Sequence, residues 1–97
     1  MRILIVGNGR MGHAVAALAA ERGHTIHAMI GAADNAGGRA LTRQHLDGID
    51  VAIEFTRPDA VVANLERLIE AGVPVVTGTT GWAEELPRIT RLVVDRG

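Results

Sequence analysis

No lysine occurs among the 97 residues; all ten basic side chains are arginine. That absence removes two chemistries. A phosphate loop of the G-x-x-x-x-G-K type needs its lysine, and a Schiff base needs an ε-amino group. Cysteine is absent too, which excludes a disulfide framework and a thiolate zinc site and fits a cytoplasmic setting. The aromatic residues are Phe55 and Trp82, with no tyrosine, too few to form a platform on which bases stack. A formal net charge of -1 gives no reason to expect a nucleic-acid or anionic-membrane partner. The apolar run 3–6 is too short to cross a bilayer or to serve as the core of a signal peptide, and no run in the sequence is long enough to span a bilayer. Four histidines are present, but His24 and His27, three apart around one strand, point to opposite faces. His13 and His45 read as solvated surface residues, and no metal site is expected.

What is there is an apolar chain, 47% hydrophobic, of a length that makes one domain with a modest core. The segment "RILIV" (2–6) is a short β-branched run ended by glycine, the pattern of a strand buried on both faces. From 11 to 22 the pattern turns helical, with Met11, Val15, Leu18 and Arg22 on one stripe and Gly23 in the stop position. "TIHAMI" (25–30) predicts a second strand, 31–38 a loop, and 39–46 a short helix. "DVAIEF" (50–55) predicts a third strand with Val51, Ile53 and Phe55 on one face. Pro58 and Asp59 suit the first turn of a helix, and Val61, Val62, Leu65, Leu68 and Ile69 supply its apolar stripe up to Gly72. "PVVT" (74–77) predicts a fourth strand, and a last helix runs over 83–95 with Pro87 near its first turns.

Strands alternating with helices at this spacing give an α/β fold, a Rossmann-type parallel sheet of about four strands with flanking helices. The expected strand order is 2-1-3-4, with a switch point between the first and third strands, where ligands bind outside the carboxyl ends. Three loops must then emerge on one edge: "GNGRMG" after strand one, "FTRP" after strand three and "GTTGW" after strand four. The first carries G-x-G-x-x-G at Gly7, Gly9 and Gly12. Alone it is a weak signal; between a strand and an amphipathic helix it becomes a dinucleotide cradle. Gly7 makes the turn, Gly9 lets the backbone approach a pyrophosphate, and Gly12 lets helix pack on strand. "GTTG" (78–81) has two readings, a helix-capping turn or a backbone wall for the nicotinamide end of a cofactor. Glu54, at the end of strand three, is either a general acid beside the crevice or a carboxylate that ties down the following turn. Trp82 is read as packing on the last helix.

Taken in order, "GNGRMG", "DVAIEFTRPDAVVANL" and "VPVVTGTTGW" resemble the N-terminal domain of the dihydrodipicolinate reductases. The resemblance covers essentially the whole chain and is carried above all by "EFTRP" and "GTTGW". It implies that Gly7, Asn8, Gly9, Arg10, Met11 and Gly12 form the pyrophosphate loop, and that Phe55 and Thr56 lie near the nicotinamide ribose. Gly78, Thr79 and Thr80 match the loop beside the nicotinamide, with Thr80 the one that reaches the substrate. It further implies hydride transfer from NADH or NADPH to a cyclic dihydrodipicolinate-type substrate in lysine and diaminopimelate biosynthesis, by a homo-oligomer assembled mainly through a second domain. The histidine pair, lysine and Ser-Gly-Thr loop of that second domain have no counterpart here. Residues 1–97 are therefore expected to be the dinucleotide-binding half of a two-domain reductase, able to bind cofactor but, without catalytic residues of its own, unable to turn over substrate.

One position departs from the usual pattern. The acid that commonly ends strand two and holds the adenosine ribose is replaced by Gly31. Asp34 either reaches in or forms an Asx turn. With no acid to repel a 2′-phosphate, Arg39 or Arg43 could meet one, which favours NADPH over NADH. The alternative from a different class is a non-enzymatic NAD(H)-sensing module, but such modules typically keep the strand-two acid and lack the two later loops. A chain that keeps the fold but has lost its ligand is the third reading.

Overall fold

The computed structural model describes residues 1–7, 9–31, 35, 38–79, 81 and 83–96. Its strands are β1 (Arg2–Val6), β2 (Thr25–Ile30), β3 (Val51–Glu54) and β4 (Val75–Thr77). They are joined by α1 (Arg10–Glu21), a single-turn α2 (Arg43–Leu46) and α3 (Pro58–Glu70). After β4 a 3-10 turn at Ala83–Glu85 leads into α4 (Leu86–Arg96). The sheet has the order β2-β1-β3-β4 with every pair parallel, as the alternation of short apolar runs with helical stripes predicts.

The central strand β1 is buried on both faces because each face meets a different layer. Leu4 and Val6 join Ala52 of β3 in a core closed by Leu41, Leu46 of α2 and Leu68 of α3. Ile3 and Ile5 face the other way, onto Ala19, Val15 and Ala16 of α1. Val61, Leu65 and Ile69 of α3 meet Ile89 of α4. Arg88 ties α4 to the rest: its NH2 group bonds Glu66 of α3 at 3.3 Å and its Nε bonds Glu85 at 2.9 Å. These carboxylates, Glu66 foremost, hold the guanidinium pKa above its ordinary value.

One sequence expectation changes in detail. The stripe through Met11 and Leu18 is the outer side of α1, where both are more than half or about half exposed. The inner side is Gly12 and Ala19, with Val15 and Ala16 partly covered. Small residues win that face because α1 lies close on β1: a Cβ at Gly12 would stand 2.5 Å from the carbonyl oxygen of Gly7. In β3 Val51 and Ile53 share a face, and the fully buried face is the other one, that of Ala52 and Glu54. Val51 and Ile53 pack on the side that α1 covers, and Val76, paired beside Ile53, is 61% exposed. Among the described residues no helix is long and apolar enough to cross a membrane.

Candidate functional site

The register aligns the strand ends in one row, Ile30, Val6, Glu54 and Thr77. The next residues are bonded across the same edge: Gly7 N–H donates to Ile30 O at 2.7 Å, Phe55 N–H to Val6 O and Gly78 N–H to Glu54 O, both at 2.9 Å. The glycine loop, the "FTRP" loop and the start of the "GTTG" loop therefore leave the sheet side by side.

Phe55 lies between the two glycine corners. Gly7 has φ of +115°, and a Cβ there would overlap the carbonyl oxygen of Phe55. A Cβ at Gly78 would overlap the Phe55 ring. Both glycines are thus required by the packing of one residue on the neighbouring strand end. Gly9 differs: a Cβ there meets no described atom within 4 Å. Its backbone opens the N-terminus of α1, where Gly9 supplies no side-chain cap and the first turn holds no acid. The start of α3, by contrast, carries Asp59 in its first turn. The N-terminal end of a helix carries the positive end of its dipole and N–H groups without intrahelical partners, which favours an anion there. Arg10 and Met11 occupy that first turn and are exposed.

Below this edge lies a polar network that sequence reasoning largely missed. Glu54 is fully buried, and the other buried polar side chains among the described residues, Asn35, Asn64 and Thr79, all connect to it. Thr77 Oγ1 donates to Glu54 Oε1 at 2.7 Å, and Thr79 Oγ1 donates to the same oxygen at 2.6 Å. Oε2 accepts from Thr56 Oγ1 and, at 3.3 Å, from Asn64 Nδ2. Four donors meet the four lone-pair directions of one carboxyl group. The contacts continue outward. Thr79 Oγ1 accepts the Thr56 N–H at 2.8 Å, and Thr77 Oγ1 accepts the Thr79 N–H at 3.1 Å. Asn64 Oδ1 accepts from Asn35 Nδ2 at 2.8 Å, and Asn35 Oδ1 accepts the Ala40 N–H at 3.0 Å. No buried side-chain nitrogen or oxygen among the described residues lacks a partner. Of the two readings of Glu54, the geometry matches the one in which it ties down a turn, and extends it to three loops. Asn64 could have been found from sequence, since it interrupts the apolar stripe Val61–Leu65–Leu68 at a core position.

A cavity of about 250 Å³ opens beside these loops, between the end of β2 and α3. Gly31, Asn35, Thr56, Arg57 and Asn64 are among its lining residues. Gly31 follows β2 directly, at the position where the usual pattern has an acid. Arg39 is exposed nearby in sequence, and the Arg57 guanidinium lies 3.5 Å from Asp59 in an exposed pair. Asn8, Asp34, Thr80 and Trp82 lie outside the described residues. The histidines keep separate company: His24 meets the N-terminal amine at 3.2 Å, His27 meets Arg2 at 2.6 Å and His45 the carbonyl of Ala40 at 2.9 Å. Among the described residues no three histidine or acidic groups form a metal-binding cluster.

A parallel sheet in this order, with a glycine-cornered loop entering a helix at its switch point, places the chain in the Rossmann-type α/β class of fold. Comparison with known proteins narrows it. The family described as dihydrodipicolinate reductase, N-terminus, matches residues 1–94, and the chain belongs to that family. It is similar to the 4-hydroxy-tetrahydrodipicolinate reductase of Staphylococcus carnosus, 37% identical over 89 residues that make up 89% of this chain and 36% of the relative. The protein of that name from Natronomonas pharaonis is 34% identical over 88% of this chain and 37% of its own length. That of Bifidobacterium longum subsp. infantis is 38% identical over 88% and 33%. The chain thus spans about a third of the curated relatives it matches.

Proposed function

We propose that residues 1–97 are a dinucleotide-binding domain that holds NADPH or NADH for a reductase acting on a cyclic dihydrodipicolinate-type substrate. The observation that carries this reading is the shared edge: the corners at Gly7, Phe55 and Gly78 adjoin one another beside an α1 N-terminus that has neither side-chain cap nor acid. The residues suit a dinucleotide. Gly9 leaves space where a side chain would stand, which is what close approach of a pyrophosphate to the backbone requires. In this assignment Gly7, Asn8, Gly9, Arg10, Met11 and Gly12 wrap the pyrophosphate, with the α1 amides as donors. Phe55 and Thr56 border the nicotinamide ribose, and Gly78, Thr79 and Thr80 border the nicotinamide.

The bound cofactor supplies a hydride; this chain's residues orient it. Phe55 sets the spacing between the two glycine corners, and Thr56 and Thr79 are fixed by their bonds to Glu54. Gly31 stands after β2 where an acid commonly repels a 2′-phosphate, and Arg39 and Arg43 are the sequence candidates to meet one. NADPH is the favoured cofactor. The family's proton donor and substrate-carboxylate grips, as the resemblance describes them, have no match in this sequence. The 97-residue chain therefore binds cofactor without consuming it.

Calorimetric titration of the purified chain tests this, together with a reductase assay. Saturable binding of NADPH with no substrate-dependent oxidation is expected. Turnover by the isolated chain contradicts the division of labour; absence of binding up to millimolar cofactor favours a fold that has lost its ligand.

A further inference from the structure

Resting on that cofactor reading, we propose that Glu54 is a positioning residue that presets the nicotinamide end of the site without touching the ligand. The carboxyl group lies beneath the sheet edge at no exposure, so it meets neither solvent nor cofactor. Three of its four partners, Thr56, Thr77 and Thr79, stand at the ends of β3 and β4 that frame the nicotinamide end; the fourth, Asn64 of α3, contacts it at 3.3 Å and leads to Asn35 in the loop after β2. Thr56 comes from the loop after β3 and Thr79 from the loop after β4, and both hydroxyls converge on Glu54. The Thr56 N–H bonded to Thr79 Oγ1 closes the ring between the loops. Thr77 completes it, giving its hydroxyl proton to Glu54 and accepting the Thr79 N–H.

The pyrophosphate loop is held otherwise. Gly7 is fixed by backbone bonding to Ile30 and by its close approach to Phe55, and among the described residues the side-chain bonds to Glu54 come from Thr56, Asn64, Thr77 and Thr79, not from the glycine loop. The network therefore acts on the nicotinamide end through three hydroxyls, and reaches the loop after β2 only through the longer Asn64 contact of 3.3 Å and the Asn64–Asn35 bond beyond it. Loops already held in the binding geometry need not be ordered when the cofactor arrives, and a buried network with all its members paired is a rigid way to hold them. A Glu54→Gln substitution keeps the shape but turns an NH2 group toward hydroxyls that are donors, so two contacts must rearrange.

The experiment compares two ligands on the same protein: NADPH, and adenosine 2′,5′-diphosphate, which has the adenosine half alone. In Glu54→Gln the NADPH dissociation constant should rise about tenfold, while that of adenosine 2′,5′-diphosphate should stay within about twofold. Equal weakening of both ligands, or of neither, overturns the positioning role. Should Glu54→Gln fail to fold, Thr77 provides the second arm. Thr77→Val removes one donor to the carboxyl group and should reproduce the selective loss, whereas Thr77→Ser keeps the hydroxyl and should bind both ligands like the unaltered chain. Equal behaviour of Thr77→Val and Thr77→Ser overturns the proposal. An unaltered chain that binds neither ligand sinks the cofactor reading itself, which these variant comparisons otherwise leave standing.

Discussion

Gly7 faces the carbonyl oxygen of Phe55 so closely that any β-carbon at position 7 would overlap it. The obstacle is backbone on the adjacent strand, which cannot swing aside as a side-chain tip can, and the positive φ adds strain of its own. Gly7→Ala should destabilise the fold by about 2 kcal/mol or more. At Gly9, where no described atom lies within 4 Å, alanine should change stability by no more than about 1 kcal/mol. Urea unfolding of the two variants measures both. The cofactor affinities should rank differently from the stabilities, with Gly9→Ala binding NADPH more weakly although it folds.

Gly78 and the Phe55 ring make a coupled pair, because a methyl group at 78 would enter the ring's space. Gly78→Ala should be strongly destabilising with phenylalanine at 55 and far milder in a Phe55→Leu background. A double-mutant cycle should give a coupling of about 1–3 kcal/mol. Additive effects would mean the ring is not what excludes the methyl group.

Asn35 joins the loop after β2 to Asn64 on α3 and caps the Ala40 N–H. Asn35→Ala strips a partner from a 1%-exposed Asn64, and a buried group left unpaired costs about 1–3 kcal/mol. Thermal or urea unfolding should show that loss. A change below about 0.5 kcal/mol would show that water replaces the lost bonds.

Cofactor preference should carry a salt signature. A contact between arginine and a 2′-phosphate is screened by added salt, so NADPH affinity should fall more steeply than NADH affinity between low and moderate ionic strength. Parallel lines for the two cofactors would refute an arginine–phosphate contact.

The sheet was legible in the sequence because each strand is a short apolar run bounded by glycine or a helix signal, and parallel topology follows from the alternation. Pro58, Asp59 and Gly23 mark helix ends where the structure has them. On α1 the reading of Gly12 as the residue that lets helix pack on strand holds, whereas Met11 and Leu18 of the apolar stripe lie outward, because a helix drawn close to a strand keeps its small residues, Gly12 and Ala19, inward. The Glu54 network was hidden because its members are scattered from 35 to 79 and each has an ordinary local explanation. Only the register that sets Glu54 beside Thr77 makes them one cluster. Asn64 alone carried a sequence signal, a polar residue inside an apolar stripe.

Backbone amide NMR of the chain during titration with NADPH tests the shared site most directly. The amides of Gly7, Gly9, Gly12, Phe55, Thr56, Gly78 and Thr79 should shift together and saturate along one binding curve. Shifts confined to one corner, or corners that saturate at different cofactor concentrations, would contradict a single nucleotide held by all three loops.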